Sequence, residues 1–327
     1  MKAWQLVGHR RFEFIDTEPP AVEDGQVLIK VEYASVCGSD THINYEPLLP
    51  EERYPLPPGS PCHEVVGTII ESRNAAHPVG TRAILLPEAS PTRGYTAGGL
   101  SEYLASGKII GIPDTGSSAD WLMCQPVGTV LYAAREWGNA SDHRIAVLGQ
   151  GAIGLAFTML AARQGALDVI GIDPIGYRLD RAREAGATAT INPASTTVAA
   201  AVLEATGGAG VDVVVDATGD VSGLNLAVDT VNRFGTIISF GLIAANSVVP
   251  FNHATWMRKQ ARLIPTVSAS APEPTRDIEA IVRLRERGWI DPATLITHRW
   301  TWDRVPDAYE MYSNHTDEVV KVVLEVG

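Results

Sequence analysis

Two short segments concentrate the residue types that bind metals and move protons: Cys37-Gly38-Ser39-Asp40-Thr41-His42 and Cys62-His63-Glu64-Val65-Val66-Gly67. A thiolate, an imidazole and a carboxylate are donors that zinc accepts in mixed sets. Each of these residues alone has a plainer reading: a lone cysteine as a small buried hydrophobe, a histidine satisfied within a loop, a glutamate as a surface charge before a strand. A third segment tips the balance toward chemistry. Gly149-Gln150-Gly151-Ala152-Ile153-Gly154 follows the apolar run RIAVL and opens a helical pattern, the setting in which G-x-G-x-x-G binds a dinucleotide. The glycines permit a tight turn and close backbone approach to a pyrophosphate. Ala152 and Ile153, at the helix start, offer N–H groups to the anion. Asp173 ends the next apolar run, VIGID, 24 positions after Gly149, near the ~20 expected of the acid that binds an adenosine ribose. Its carboxylate would repel a 2′-phosphate, so NAD is expected over NADP. Arg178, five residues on, either reaches a phosphate or lies over the ribose.

The elements that must hold these residues follow from the apolar rhythm. Up to about residue 124 the chain reads as short strands (QVLIKVEYASV, EVVGTIIESR, GTRAILLP, SEYLAS, KIIGIPD) separated by Pro and Gly clusters, which predicts a β-rich domain. TVLYAAREWG then carries Val130, Leu131, Ala134 and Trp137 at helical spacing. From RIAVLG onward strands alternate with helices, ending with a helix GLNLAVDTVNRFG and a strand TIISFGL. Strands apolar on both faces that alternate with helices predict a doubly wound parallel sheet of α/β class. The tail from about residue 268 has a different rhythm (helix TRDIEAIVRLRERGW, strand LITHRW, helix PDAYEMYS, strand VVKVVLEV) and is expected to rejoin the first domain. The expected domains are therefore 1–124 with 268–327, and 125–267.

Composition sets the outer bounds. The chain has 327 residues, beyond the ~250 to 300 at which one core usually stops growing. Against 26 Lys and Arg stand 38 Asp and Glu, a formal net charge of −12, which disfavours phosphate backbones and anionic membrane surfaces as partners. The opening MKAWQLVGHRRFEF lacks the apolar core of a signal peptide, so a cytoplasmic location and no membrane association are expected. Three cysteines, Cys37, Cys62 and Cys124, are too few for a disulfide framework and better suit buried thiols or metal ligands.

Taken with CGSDTH, CHEVVG, QPVGTVLYAA, VLGQGAIG and the closing KVVLEV, the chain resembles the zinc-dependent medium-chain alcohol and polyol dehydrogenases over essentially its whole length. The resemblance implies a β-rich GroES-like barrel domain holding the catalytic site and completed by the C-terminal tail, and a Rossmann domain holding NAD. It implies that Cys37 and His63 hold a catalytic zinc, with Glu64 a direct or exchangeable ligand. It further implies that Ser39 hydrogen-bonds the substrate oxygen, that His42 ends a proton relay, and that Asp40 orients the imidazole of His63. Relatives form homodimers or homotetramers, here expected through an edge strand near SVVPF or LIPTVS.

Two departures qualify the resemblance. Where the family carries a Cys or Glu as its third zinc-site residue this chain has Gln125, a neutral amide. With thiolate Cys37 and carboxylate Glu64 the two negative charges would balance Zn2+, whereas an added Glu would leave the cluster at minus one. Cys124, the neighbour of Gln125, would have to swing about 100° around a helix to serve instead. The second departure is that no cysteine occurs between Arg82 and Glu102, where many relatives hold a structural zinc, and Tyr95 with its neighbouring glycines is expected to form a mobile lip at the cleft or a subunit contact, or else an ordinary solvated loop. The expected reaction moves a hydride between NAD(H) and a secondary alcohol, a sugar alcohol or a cyclitol and its ketone. The rival readings are a zinc-free NADPH-dependent quinone or enone reductase on the same fold, and a non-catalytic nucleotide-binding relative.

Overall fold

The structure, a computed structural model, describes residues 1–46, 49–88, 98–243, 248–267 and 271–326. Tyr95 lies outside the described residues. Two compact units partition the chain: Met1–Gln125 with Ile278–Gly327, and Pro126–Asp277. The return crossing thus falls later than residue 267, inside a helix. Asp277 is bound by Arg135 of the second unit, whereas Ile278, Ile281 and Val282 of the same helix are buried residues of the first.

The first unit opens with a hairpin of β1 (Lys2–Gly8) and β2 (Arg11–Asp16), followed by β3 (Val27–Ser35), β4 (Glu64–Ser72), β5 (Arg82–Leu85), β6 (Tyr103–Ser106) and β7 (Ile109–Gly111). Helix α1 (Ser118–Leu122) comes next, and α2 (Cys124–Ala134) begins in this unit and continues into the second. The second unit runs β8 (Arg144–Leu148), α3 (Ala152–Arg163), β9 (Asp168–Ile172), α4 (Gly176–Glu184), β10 (Ala189–Ile191), α5 (Val198–Ala205), β11 (Val211–Asp216), α6 (Gly223–Thr230), β12 (Val231–Ser239), α7 (His253–Lys259) and β13 (Arg262–Pro265). The chain returns through α8 (Arg276–Glu286), β14 (Ile296–Thr301), α9 (Val305–Asn314) and β15 (Lys321–Glu325).

In the second unit six parallel strands run in the order β10-β9-β8-β11-β12-β13. Ile145, Ala146, Val147 and Leu148 of β8 are all buried, as a central parallel strand covered on both faces requires. The helix expected over 223–235 stops at Thr230 instead. Val231 pairs with Val211, the register then shifts, and Thr236 resumes opposite Val213. Phe234, at φ +66°, turns the intervening residues, a conformation that no helical pattern signals.

In the first unit β14-β15-β3-β4-β5-β7 form one sheet, with β6 also paired to β3. Its core gathers Leu6, Ile29, Val65, Leu104, Tyr309 and Leu324. The tail strand β15 pairs antiparallel with β3, Val323 opposite Ser35, and Ser35 is opposite Glu64 on β4. This three-strand seam brings the ends of the two chemistry-bearing segments together.

Candidate functional site

Among the described residues, Cys37, His63 and Glu64 form the one group of three potential ligands, their donor atoms all within 4.8 Å of one another. Donors around one tetrahedral zinc, bonded at about 2.0 to 2.3 Å, stand roughly 3.5 Å apart, so small side-chain movements would close this cluster on an ion. Cys37 follows the end of β3, and Glu64 begins β4 with His63 just before it. From Asp40 to Tyr45 the chain winds as a π-helical turn, with Glu46 N donating to Thr41 O at 3.0 Å. Such turns are rare and concentrate at functional sites.

Asp40 is 1% exposed and sits behind the histidine, its Oδ1 2.8 Å from His63 Nδ1. That contact holds a proton on Nδ1, so Nε2 is the nitrogen that would bind a metal once its own proton has left. The His63 side chain itself is 37% exposed. Burial pulls its pKa down, but the charges of Asp40 and Cys37 outweigh burial and hold it well above the ordinary value. The Cys37 N–H donates to Asp40 Oδ2 at 3.1 Å, and the Ser39 hydroxyl donates to Cys37 Sγ at 3.4 Å. His42 is exposed on the π-helical turn.

The other cysteines are structural in character. Cys62 is buried, its thiol directed at the carbonyls of Ser35 and Glu64, and burial pushes its pKa up. Cys124 is also buried, and burial pushes its thiol up to about 12. Gln125 is 5% exposed, and none of the hydrogen bonds among the described residues joins its amide to Cys37, His63 or Glu64.

Sequence reasoning missed Lys321. This lysine, 1% exposed on β15, reaches both carboxylate oxygens of Glu64 at 2.5 and 2.6 Å and the carbonyl of Val36 at 3.0 Å. Burial alone would lower its pKa, yet Glu64 and then Cys37 raise it above the ordinary lysine value. The charge balance drawn from Cys37 and Glu64 alone is therefore corrected. Lys321 neutralises Glu64, and Glu64 would have to leave Lys321 to ligate a metal. A single Lys in an apolar strand, KVVLE, reads as an edge charge, so no local signal marked it.

The second unit carries the glycine turn. Gly149 has φ +83°, and a Cβ there would stand 3.0 Å from Ala217 O. A Cβ on Gly154 would overlap the carbonyl oxygen of Gly149, whereas one on Gly151 would meet only Arg178 Nη1 at 4.0 Å. Open space over Gly151, at the N-terminus of twelve-residue α3, is what an approaching pyrophosphate needs. Gly154→Ala is accordingly expected to lower stability by about 1 to 3 kcal/mol or more, read by thermal unfolding. Gly151→Ala is expected to melt like the parent but bind NADH more weakly in a fluorescence titration. Asp173 is 2% exposed. Its Oδ2 accepts from Gln150 N at 2.7 Å, its Oδ1 accepts from Ile175 N at 2.8 Å, and Arg178 Nη1 lies 3.7 Å from Oδ2. Gln150 is wholly buried, bonded to Val147 O and to the Thr158 hydroxyl, and so buttresses the turn from within.

Residues 23–131 match the family model for the alcohol dehydrogenase GroES-like domain, and residues 152–284 match the model for zinc-binding dehydrogenases. An alcohol dehydrogenase of Cupriavidus necator is 26% identical over 370 residues, covering 99% of this chain and 98% of its own. The chain belongs to the zinc-type medium-chain dehydrogenase/reductase family. As a member of that family it is an alcohol or polyol dehydrogenase acting on CH–OH groups. D-arabitol-phosphate dehydrogenase of Enterococcus avium is 25% identical, with 98% of this chain and 96% of its own covered. A short chain alcohol dehydrogenase from E. coli CFT073, solved with NADH, shares the fold at a TM-score of 0.86, with 23% identity and 100% and 99% of the two chains covered. Both units are thus those of the medium-chain dehydrogenase fold, a β-rich GroES-like part and a Rossmann sheet. Among the described residues no helix is long and apolar enough to cross a membrane.

Proposed function

We propose that this medium-chain dehydrogenase is a zinc-dependent oxidoreductase that moves a hydride between NAD(H) and a secondary alcohol, sugar alcohol or cyclitol and its ketone. The observation that carries the reading is the convergence of Cys37, His63 and Glu64 within 4.8 Å, with Asp40 bonded to the rear nitrogen of the imidazole. A zinc ion held there would lower the pKa of an alcohol presented to it, and polarise the carbonyl in the reverse direction. Cys37 and His63 hold the ion, and Glu64 serves as the exchangeable third ligand. Ser39 accepts the substrate proton and His42 delivers it to water, the general acid–base work suited to an imidazole. Asp40 keeps His63 in one tautomer and makes it a more basic ligand. In the second unit the glycine turn and the N-terminus of α3 take the pyrophosphate. The lone pairs left on Asp173 take the adenosine ribose, which favours NAD.

The test is a panel of alcohols and ketones with NAD and NADP on protein of measured zinc content. About one zinc per chain with NAD-linked turnover supports the reading. Turnover without zinc, on quinones or enones with NADPH, overturns it, as does nucleotide binding with no turnover on any substrate. The charge argument has its own check in Gln125→Glu. With Glu64 neutralised by Lys321 and Gln125 uncharged, the ligand cluster carries only the negative charge of Cys37. A second carboxylate is expected to shift the pH profile of alcohol oxidation upward by about 1 unit, with zinc retained. No change in either zinc content or pH profile would sink the charge argument.

A further inference from the structure

We propose that Tyr309, on the C-terminal helix α9, is a positioning residue for the metal site and acts through Asp40. The inference rests on the reading of Cys37 and His63 as zinc ligands. Tyr309 is fully buried, and its hydroxyl donates to Asp40 Oδ2 at 3.3 Å across 269 residues of sequence. Its ring packs against Phe12 (centroids 4.8 Å apart) and Tyr45 (5.5 Å). A phenylalanine ring would fill that aromatic cluster equally well, so packing does not call for the hydroxyl. A buried hydroxyl needs a partner, and among the described residues the one hydrogen bond it makes is to Asp40. Burial, and after it the Asp40 charge, push the phenol above its ordinary pKa, so it stays a donor.

The consequence is a carboxylate occupied on both oxygens. Oδ2 accepts from Tyr309 and from the Cys37 N–H, which leaves Oδ1 facing His63 Nδ1. Rotation of Asp40 would break three contacts together. The helix is itself anchored to the π-helical turn, because the Tyr45 hydroxyl donates to Glu310 at 2.9 Å and the Ser313 hydroxyl bonds Glu46. Arg10 ties the same two elements, 2.7 Å from Glu46 and 3.2 Å from Glu310. A hydroxyl on so fixed a base is what holds an outer-shell group in register.

The decisive measurement is zinc affinity by chelator competition for the parent, Tyr309→Phe, Asp40→Asn and the double variant. Tyr309→Phe is expected to bind zinc about tenfold more weakly, while its zinc-free form melts within a few degrees of the parent. In the Asp40→Asn background the same change is expected to add nothing. Unchanged affinity in Tyr309→Phe, or fully additive losses in the double variant, would overturn the proposal. The nitrogen resonances of His63 in the zinc-free protein, followed at alkaline pH where the ring is neutral, give a second readout: a proton fixed on Nδ1 in the parent, and exchange between the two nitrogens in Tyr309→Phe. A parent that binds no zinc would refute the metal reading, while the His63 resonances would still decide whether Tyr309 positions the ring; identical resonances in both proteins would refute the positioning role.

Discussion

Methionine in place of Lys321 is expected to lower the folding stability of the metal-free protein by about 3 to 5 kcal/mol, the range for breaking a buried ion pair from one side. Both Lys321 and Glu64 are 1% exposed, and the lysine holds both carboxylate oxygens and the Val36 carbonyl. Deleting the ammonium therefore strands a buried carboxylate and a backbone acceptor together. Adding Glu64→Gln to Lys321→Met removes the stranded charge and is expected to recover at least half of the loss in urea unfolding. Zinc should also recover part of it, since Glu64 freed of Lys321 becomes available as a ligand. An unchanged midpoint in Lys321→Met would mean that the pair contributes nothing. The pH dependence has a definite sign. Lys321 is held above its ordinary value by Glu64 and Cys37 against the pull of burial. The pair's contribution is therefore complete at neutral pH and is lost only as pH climbs beyond about 10.4, the ordinary lysine value.

Lys321 also shows where the sequence stopped being legible. Cys37, His63 and Glu64 could be picked out because they stand in two short segments of unusual composition, and β3 and β4 pair over a long run that brings those segments together. The partners that set their charge and orientation come from far along the chain. Lys321 lies 257 residues from Glu64, and Tyr309 269 from Asp40. Nothing local distinguishes a lysine that will be buried against a carboxylate from one that edges a strand. The alternation of strands and helices in the second unit was legible for the opposite reason, since its central strands carry solid apolar runs such as IAVL in β8 and VVV in β11. What escaped there and in the first unit were backbone devices: the π-helical turn at Asp40–Tyr45, and positive φ at Phe234 and at Arg10, the latter between β1 and β2. Neither positive-φ position uses the glycine or asparagine that ordinarily announces such a conformation.

The Asp173 carboxylate is the other place where structure changes the expected outcome of a substitution. As a ribose acceptor alone, its removal would weaken nucleotide binding and leave folding untouched. Here it also accepts the N–H groups of Gln150 and Ile175 at 2.7 and 2.8 Å while almost wholly buried. Asp173→Ala leaves two backbone donors without an acceptor, and at about 1 to 3 kcal/mol for each unsatisfied group a loss of roughly 2 to 6 kcal/mol is expected. Asp173→Asn keeps one acceptor oxygen and should lose about half as much in the same urea titration. The effect on cofactor choice separates from the effect on folding. Without the carboxylate, the Arg178 guanidinium 3.7 Å away loses that ion pair, and its charge would favour a 2′-phosphate. NADH affinity should fall by at least about tenfold, or 1.4 kcal/mol, and NADPH affinity should fall less or rise. Titrating both nucleotides into both variants tests this, with zinc content unchanged throughout because the proposed metal ligands belong to the other unit. If Asp173→Ala discriminates between NADH and NADPH as the parent does, Asp173 is a buttress of the glycine turn and another group sets the cofactor preference.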